Sequence, residues 1–190
     1  MKKLFRVVTV PLSLEKLLNG QWEFFKTYYN ITAIASKDED LVVFGRANQT
    51  KIFGISLTRK ITLISDLKAL CTLYLFFRKE KPLIVHTQTP KAGLIGMLAA
   101  FLARVPIRMH DVVGLPLMEK RGMKYYLLYY LEKVVYSCAH RIYPNSFGLK
   151  KYMIATKLAS NTKMKVLANG SSNGVDVSHF SKEHFSKEEN

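Results

Sequence analysis

The stretch Leu83–Pro116, LIVHTQTPKAGLIGMLAAFLARVPIRMHDVVGLP, constrains the fold more than any other part of this 190-residue chain. Leu83-Ile84-Val85 is a short apolar run of the kind that forms a strand buried on both faces. Thr87-Gln88-Thr89-Pro90 ends it. Thr89 can cap a helix, and Pro90 suits the first helical position, where its missing N–H is no loss. From Lys91 to Val105 the spacing is helical. Leu94, Met97, Leu98, Phe101, Leu102 and Val105 make a bulky face; Gly93, Gly96, Ala99, Ala100 and Ala103 make a small one that lets the helix lie close against a sheet. Pro106 stops the helix, and Ile107-Arg108-Met109 begins the next strand. Such a strand–helix–strand crossover is parallel and right-handed. In an open parallel sheet, ligands bind beyond the carboxyl ends of the strands. The residues at those ends are His86-Thr87-Gln88 and His110-Asp111, so the unit predicts a crevice and the edge of the sheet that holds it.

The rest of the chain repeats this alternation. Leu4–Val10 predicts a buried first strand, broken at Pro11. Glu15–Asn30 reads as an amphipathic helix with Leu17, Leu18, Trp22, Phe25 and Tyr29 inward. Asn19-Gly20 interrupts it, which leaves a second reading: the helix begins at Gly20-Gln21, and Pro11–Gly20 is a loop at the carboxyl end of strand one. Ile31–Ser36 is a second strand, Leu41–Gly45 a short helix or strand, Gln49–Leu57 a third strand, and Thr62–Lys81 a helix. After the central unit come a long aromatic helix from Met118 to Ala139, a strand over Arg141–Asn145, a helix over Ser146–Leu158 and a last strand over Lys165–Ala168. A glycine-rich loop, Asn169–Asp176, follows. About seven strands alternating with six helices define an α/β fold, a doubly wound, Rossmann-like parallel sheet.

Composition narrows the setting. Apolar residues make up 48% of the chain, enough for a full core. Cys71 and Cys138 fall in apolar helical patterns with no metal or redox spacing around them, and read as reduced core residues of a cytosolic protein. The start, MKKLFRVVTVP, has too short an apolar run for a secretory signal, and no run approaches the roughly 20 residues a bilayer span requires. Net charge is +15, unevenly spread: Lys120–Lys165 holds ten basic residues and one acid, Glu132. That bias attracts polyanions, whether phosphorylated substrates or an anionic bilayer. Tyr125, Tyr126, Tyr129, Tyr130 and Tyr136 lie among these charges, and suit a membrane interface or a partner-protein surface. No stacking platform or recognition motif accompanies the charge, which argues against nucleic acid.

The familiar catalytic motifs are absent. No Gly-x-Gly-x-x-Gly follows strand one, and there is no Walker A loop, Gly-x-Ser-x-Gly elbow or His-Glu-x-x-His. What remains is the set of strand-end loops. Thr87–Ala92 opens a helix whose free amides favour an anion, with Lys91 adding charge. His110 can act as a base or orient a hydroxyl, and His86 lies deeper in its strand; a histidine held by backbone is the competing reading for both. Asn145-Ser146 caps another helix at its strand end.

Together these pieces resemble the N-terminal domain of family 4 glycosyltransferases, retaining enzymes of the glycosyltransferase B fold, in particular the bacterial branch that builds capsular and exopolysaccharide repeat units. The resemblance rests on Leu17–Gln21, Val85–Pro106, Arg108–Pro116, Tyr143–Leu149 and Asn169–Phe180 in that order. It implies transfer of a sugar from a nucleotide-sugar, a co-substrate rather than a cofactor, to a lipid-linked saccharide acceptor. The setting it implies is cytoplasmic and peripheral, on the inner face of the membrane. By the same resemblance His110 is the active-site residue beside the reacting sugar. The cleft would be lined by Asn19, Gly20, Gln21, His86, Thr87, Thr89, Lys91, Gly114, Asn145, Ser146, Asn169, Gly170 and Asn173. No metal is expected, because the chain has no Asp-x-Asp motif of the kind that holds a metal–diphosphate complex; Asp38-Glu39-Asp40 falls in a solvated turn.

Two residues depart from the family pattern. Gln88 replaces the second histidine of His-Thr-His-Thr-Pro, and Asp111 follows His110 where an uncharged residue is common. Length departs as well. The expectation is an acceptor-side domain over residues 1–180, a tail or the start of an interdomain linker over 181–190, and no donor-binding domain. Such a chain would be inactive alone and would need a donor-binding polypeptide. A non-catalytic, membrane-docking subunit of a split enzyme is the alternative.

Overall fold

A computed structural model describes residues 1–18, 20–58 and 62–171. Among them six strands form one parallel sheet: β1 (Lys2–Val7), β2 (Tyr29–Ser36), β3 (Lys51–Ile55), β4 (Ile84–Gln88), β5 (Ile107–Val112) and β6 (Arg141–Pro144), in the order β3-β2-β1-β4-β5-β6. Seven α-helices connect and cover them: α1 (Leu12–Leu17), α2 (Gln21–Tyr28), α3 (Glu39–Ala47), α4 (Leu63–Glu80), α5 (Pro90–Leu102), α6 (Gly122–Cys138) and α7 (Phe147–Ala155). The order reverses between β1 and β4, which makes their carboxyl ends the switch point where α/β sheets open a crevice.

Strand pleating divides the core in two. Leu4, Val8, Ala33, Ala35 and Ile84 face one way and bury Leu14, Leu18, Trp22 and Leu41 of α1–α3. Phe5, Val7, Ile34 and Val85 face the other way, against Leu73 and Phe77 of α4, Met97 and Ala100 of α5, and Val135 of α6. The small side of α5 rests on the sheet as expected: a Cβ at Gly96 would meet Thr87 Cγ2 at 2.8 Å, so only glycine lets the helix settle there. The far ends of the bulky side, Phe101 and Leu102, remain half exposed.

Several expected boundaries move. Strand one ends at Val7, and Thr9-Val10 turns at the sheet edge. The expected long N-terminal helix is two, because Gly20 adopts φ +75 and restarts the chain at Gln21; the stretch before it is not all loop, since it contains α1. The last expected strand, Lys165–Ala168, does not form; a single bridge between Ile142 and Met164 stands just before it, too short to extend the sheet. Cys71 is exposed rather than core, because α4 turns Ala69, Leu73 and Phe77 inward and residue 71 away. Cys138 is buried, as expected.

Candidate functional site

Register sorts the strand-end residues onto two faces. Arg6 pairs with His86 and Val7 with Thr87; Thr87 pairs with His110 and Gln88 with Asp111. Side chains alternate along a strand. Arg6, His86, Gln88 and Asp111 therefore share the α2 face, while Thr87 and His110 lie under α5.

The α2 face holds a buried ionic network. The Arg6 side chain is 1% exposed. Its Nη1 donates to His86 Nδ1, and its Nη2 donates to Asp111 Oδ2 at 3.2 Å and to Gln88 Oε1 at 3.5 Å. Arginine has only donors, so His86 Nδ1 accepts and the ring proton sits on Nε2, which donates to Asp111 Oδ1 at 2.7 Å. Burial, then the charge of Arg6, push the His86 pKa down and keep the ring neutral. Burial disfavours the Asp111 carboxylate, but His86 and Arg6 outweigh it and hold the carboxyl well below its usual range. Asp111, Gln88 and His86 open on a cavity of about 130 Å³ that Gln21, Phe25, Tyr143, Asn145 and Gly170 also line.

On the α5 face, His110 Nδ1 and Thr87 Oγ1 are 2.7 Å apart. The imidazole is 2% exposed, lying beneath Gly93. Burial pushes its pKa down to about 4, so at neutral pH it is an uncharged donor and acceptor. Thr89, at φ +76, stands where an N-cap would, but its hydroxyl turns to Thr9, with 2.7 Å between the two oxygens. A positive φ is rare for a β-branched residue and costs about 1–3 kcal/mol. A cavity of about 420 Å³ lies beside it, walled by Leu94, Leu128, Leu131 and Val135, with Thr89, Lys91 and Glu132 as polar members. Burial raises the Glu132 pKa. A closed crevice, too narrow for a water molecule, lies among Thr89, His110, Asp111, Gly114 and Glu132 and shares lining residues with both cavities.

The structure separates the expected cleft residues. Gln21, His86, Asn145 and Gly170 line the polar cavity, and Thr89 and Lys91 the apolar one. His110 and Gly114 line the crevice. Thr87 is fully buried and reaches the site only through His110. Gly20 sets the start of α2. Ser146 serves as a cap, its Oγ accepting from Leu149 N at 3.1 Å. Lys91 does not hold its charge ready for an anion at the start of α5, because Asp66 ion-pairs with it at 2.7 Å. Asn169 is exposed and lines none of these cavities. Asn19 and Asn173 lie outside the described residues.

Sequence reasoning passed over Arg6, Tyr143 and Glu132. Two of them had signals: a lone arginine inside the apolar run LFRVVTV requires a buried partner, and Glu132 is the single acid of the basic stretch.

Three comparisons bear on this geometry. A family described as glycosyl transferase 4-like domain matches residues 38–170. The chain is 41% identical over 180 residues to a capsular polysaccharide biosynthesis glycosyltransferase, CapM, of Staphylococcus aureus, covering 94% of this chain and 46% of that protein. It is 31% identical over 153 residues to an Escherichia coli UDP-Gal:alpha-D-GlcNAc-diphosphoundecaprenol alpha-1,3-galactosyltransferase, covering 80% of this chain and 38% of that protein. The chain thus spans less than half the length of either relative. A UDP-N-acetylglucosamine 2-epimerase from Rickettsia bellii shares the fold, with TM-score 0.71 over 99% of this chain and 50% of that one, at 14% identity.

Proposed function

The chain belongs to the glycosyl transferase 4-like domain family, and from that premise we propose that it forms the acceptor-side half of a glycosyltransferase. The reaction is hexosyl transfer from a nucleotide-sugar to a lipid-linked saccharide in capsular, exopolysaccharide or O-antigen synthesis. The observation that carries the reading is His110: a buried, neutral imidazole at a strand end, packed behind residues that line a polar and an apolar cavity. A lipid-linked saccharide is amphiphilic, and such a pair of cavities suits it. A neutral His110 can hydrogen-bond a sugar hydroxyl without adding charge beside a departing diphosphate. The turn at Gly20 faces the donor, whose nucleotide the second half of the enzyme binds.

The outer face of α6 supports docking on an anionic membrane from the cytoplasmic side. Met123, Tyr126, Leu127 and Tyr130 are exposed there, near Lys120, Arg121 and Lys124. Among the described residues no helix is long and apolar enough to cross a membrane. A purely docking subunit is the weaker reading, since both relatives are named as transferases.

The test is sugar transfer to an extract of lipid-linked precursors, with the chain alone and with a donor-binding half supplied. Transfer is expected only with both, and His110→Ala is expected to lower it by about a hundredfold or more. Transfer that is indifferent to His110 overturns the assignment.

A further inference from the structure

We propose that the polar cavity on the α2 face is a subsite for one uncharged sugar ring of the acceptor saccharide, with Asp111 as its principal hydrogen-bond acceptor. The proposal rests on the acceptor-side reading above and goes beyond it by naming the class of sugar.

Size comes first. The cavity holds about 130 Å³, close to the roughly 150 Å³ void that accepts a benzene-sized ring. A hexopyranose, with about twice the heavy atoms of benzene, is larger than that void, so the cavity seats one edge of a single ring and not a chain of them. The lining matches the two aspects of a pyranose. Gln21, Gln88, Tyr143 and Asn145 bring amide and phenol groups for hydroxyls, and Phe25 offers an aromatic surface for a C–H face.

Charge then selects among sugars. Among the described residues, Asp111 is the one formally charged residue lining the cavity. Its counter-ion, Arg6, is only 1% exposed and directs its Nη groups to His86, Gln88 and Asp111. The wall therefore presents oxygen acceptors backed by a cation that a ligand does not reach. A uronate or phosphate brought there would face a carboxylate, while a neutral hydroxyl would donate to it. Each carboxylate oxygen of Asp111 takes one hydrogen bond from the protein, Oδ1 from His86 and Oδ2 from Arg6. A second lone pair on each remains for a ligand. The Asp111 side chain is 19% exposed, so those lone pairs are within reach of the cavity.

The carboxylate is also held in place before any ligand arrives. Arg6 and His86 grip it from two sides, which lowers the ordering cost of binding. Gln88 and Asp111 both accept from the same Arg6 nitrogen, so the two acceptors on this wall are held by one buried cation.

The test titrates the isotope-labelled chain with N-acetylglucosamine, methyl galactoside and glucuronate, followed by amide NMR shifts. The neutral sugars are expected to move Gln21, Asp111 and Tyr143, and glucuronate to bind at least about tenfold more weakly at neutral pH. Tyr143→Phe is expected to weaken the neutral sugars about tenfold with unchanged melting temperature. Asp111→Asn strands a buried arginine and risks the fold, so the milder variant and the glucuronate titration decide the matter. Equal binding of glucuronate, shifts confined to Leu94 and Leu131, or no sugar-induced shifts would each overturn the subsite. If the subsite fails while transfer still depends on His110, the acceptor-side reading stands without it; if transfer is indifferent to His110, that reading falls.

Discussion

A Cβ placed on Gly93 would stand 2.6 Å from Cε1 of His110, so helix α5 lies directly on the imidazole with no room for a methyl group. The contact is against a ring that is itself fixed, by Thr87 on one side and the sheet beneath. Gly93→Ala must therefore lift the helix or tilt the ring. We expect a loss of about 1–3 kcal/mol in urea unfolding, the usual cost of overpacking a tight core. Under the proposed function, transfer activity should fall by more than that stability loss explains.

Arg6 is held by partners far from it in sequence, and removing it leaves Asp111 ionised in a buried place. Arg6→Met is expected to cost about 3–5 kcal/mol, as breaking one side of a buried pair does. Adding Asp111→Asn should recover part of that loss, because the stranded charge is then gone. A double variant no more stable than Arg6→Met would show that lost packing, and not charge, dominates.

Acid should weaken the fold early. The pKa of His110 is about 4 in the folded chain, and that of His86 is also lowered, while unfolded histidine titrates near 6.5. Between those values the unfolded chain binds more protons, so stability falls as pH drops from about 6.5 towards 4. The slope from His110 reaches about 1.4 kcal/mol per pH unit, and His86 adds to it in the same direction. Asp111, with its pKa depressed, keeps its contribution until much lower pH. Urea midpoints at pH 7, 6 and 5 check this, and His110→Gln should flatten the dependence.

Two glycines with positive φ should respond differently to alanine. At Gly20, φ is +75 and nothing lies within 4 Å of where a methyl group would stand, so strain alone, about 1 kcal/mol, is expected. At Gly170, φ is +90 and a Cβ would meet the Asn145 carbonyl oxygen at 2.6 Å. The amide of Ser171 donates to that same oxygen. Gly170→Ala should cost about 2–3 kcal/mol and loosen the wall of the polar cavity, visible as faster amide exchange at Ser171.

Much of the architecture was legible because its signals are local. Pro90 at the first turn of α5, Pro106 after its end and the glycine–alanine side that meets the sheet are written within one unit. The placement of His110 on the strand after α5 was legible for the same reason, since Pro106 and Ile107-Arg108-Met109 mark where that strand begins. The division of the cleft into two faces was not legible, since His86-Thr87 are adjacent in sequence and only the pleat sends them to opposite sides. The seventh strand, expected over Lys165–Ala168, does not form; the chain makes one bridge to β6, at Met164.

Sequence alone determined the alternation of strands and helices, the parallel sheet and the edge where the crevice lies, because periodicity, proline and capping act over a few residues. Tertiary structure alone decided that Arg6 and Asp111, 105 residues apart, close one buried network. It also decided that Lys91 spends its charge on Asp66. Those pairings depend on the strand order β1-β4-β5 and on which helix lies over each face, and no short-range pattern encodes either.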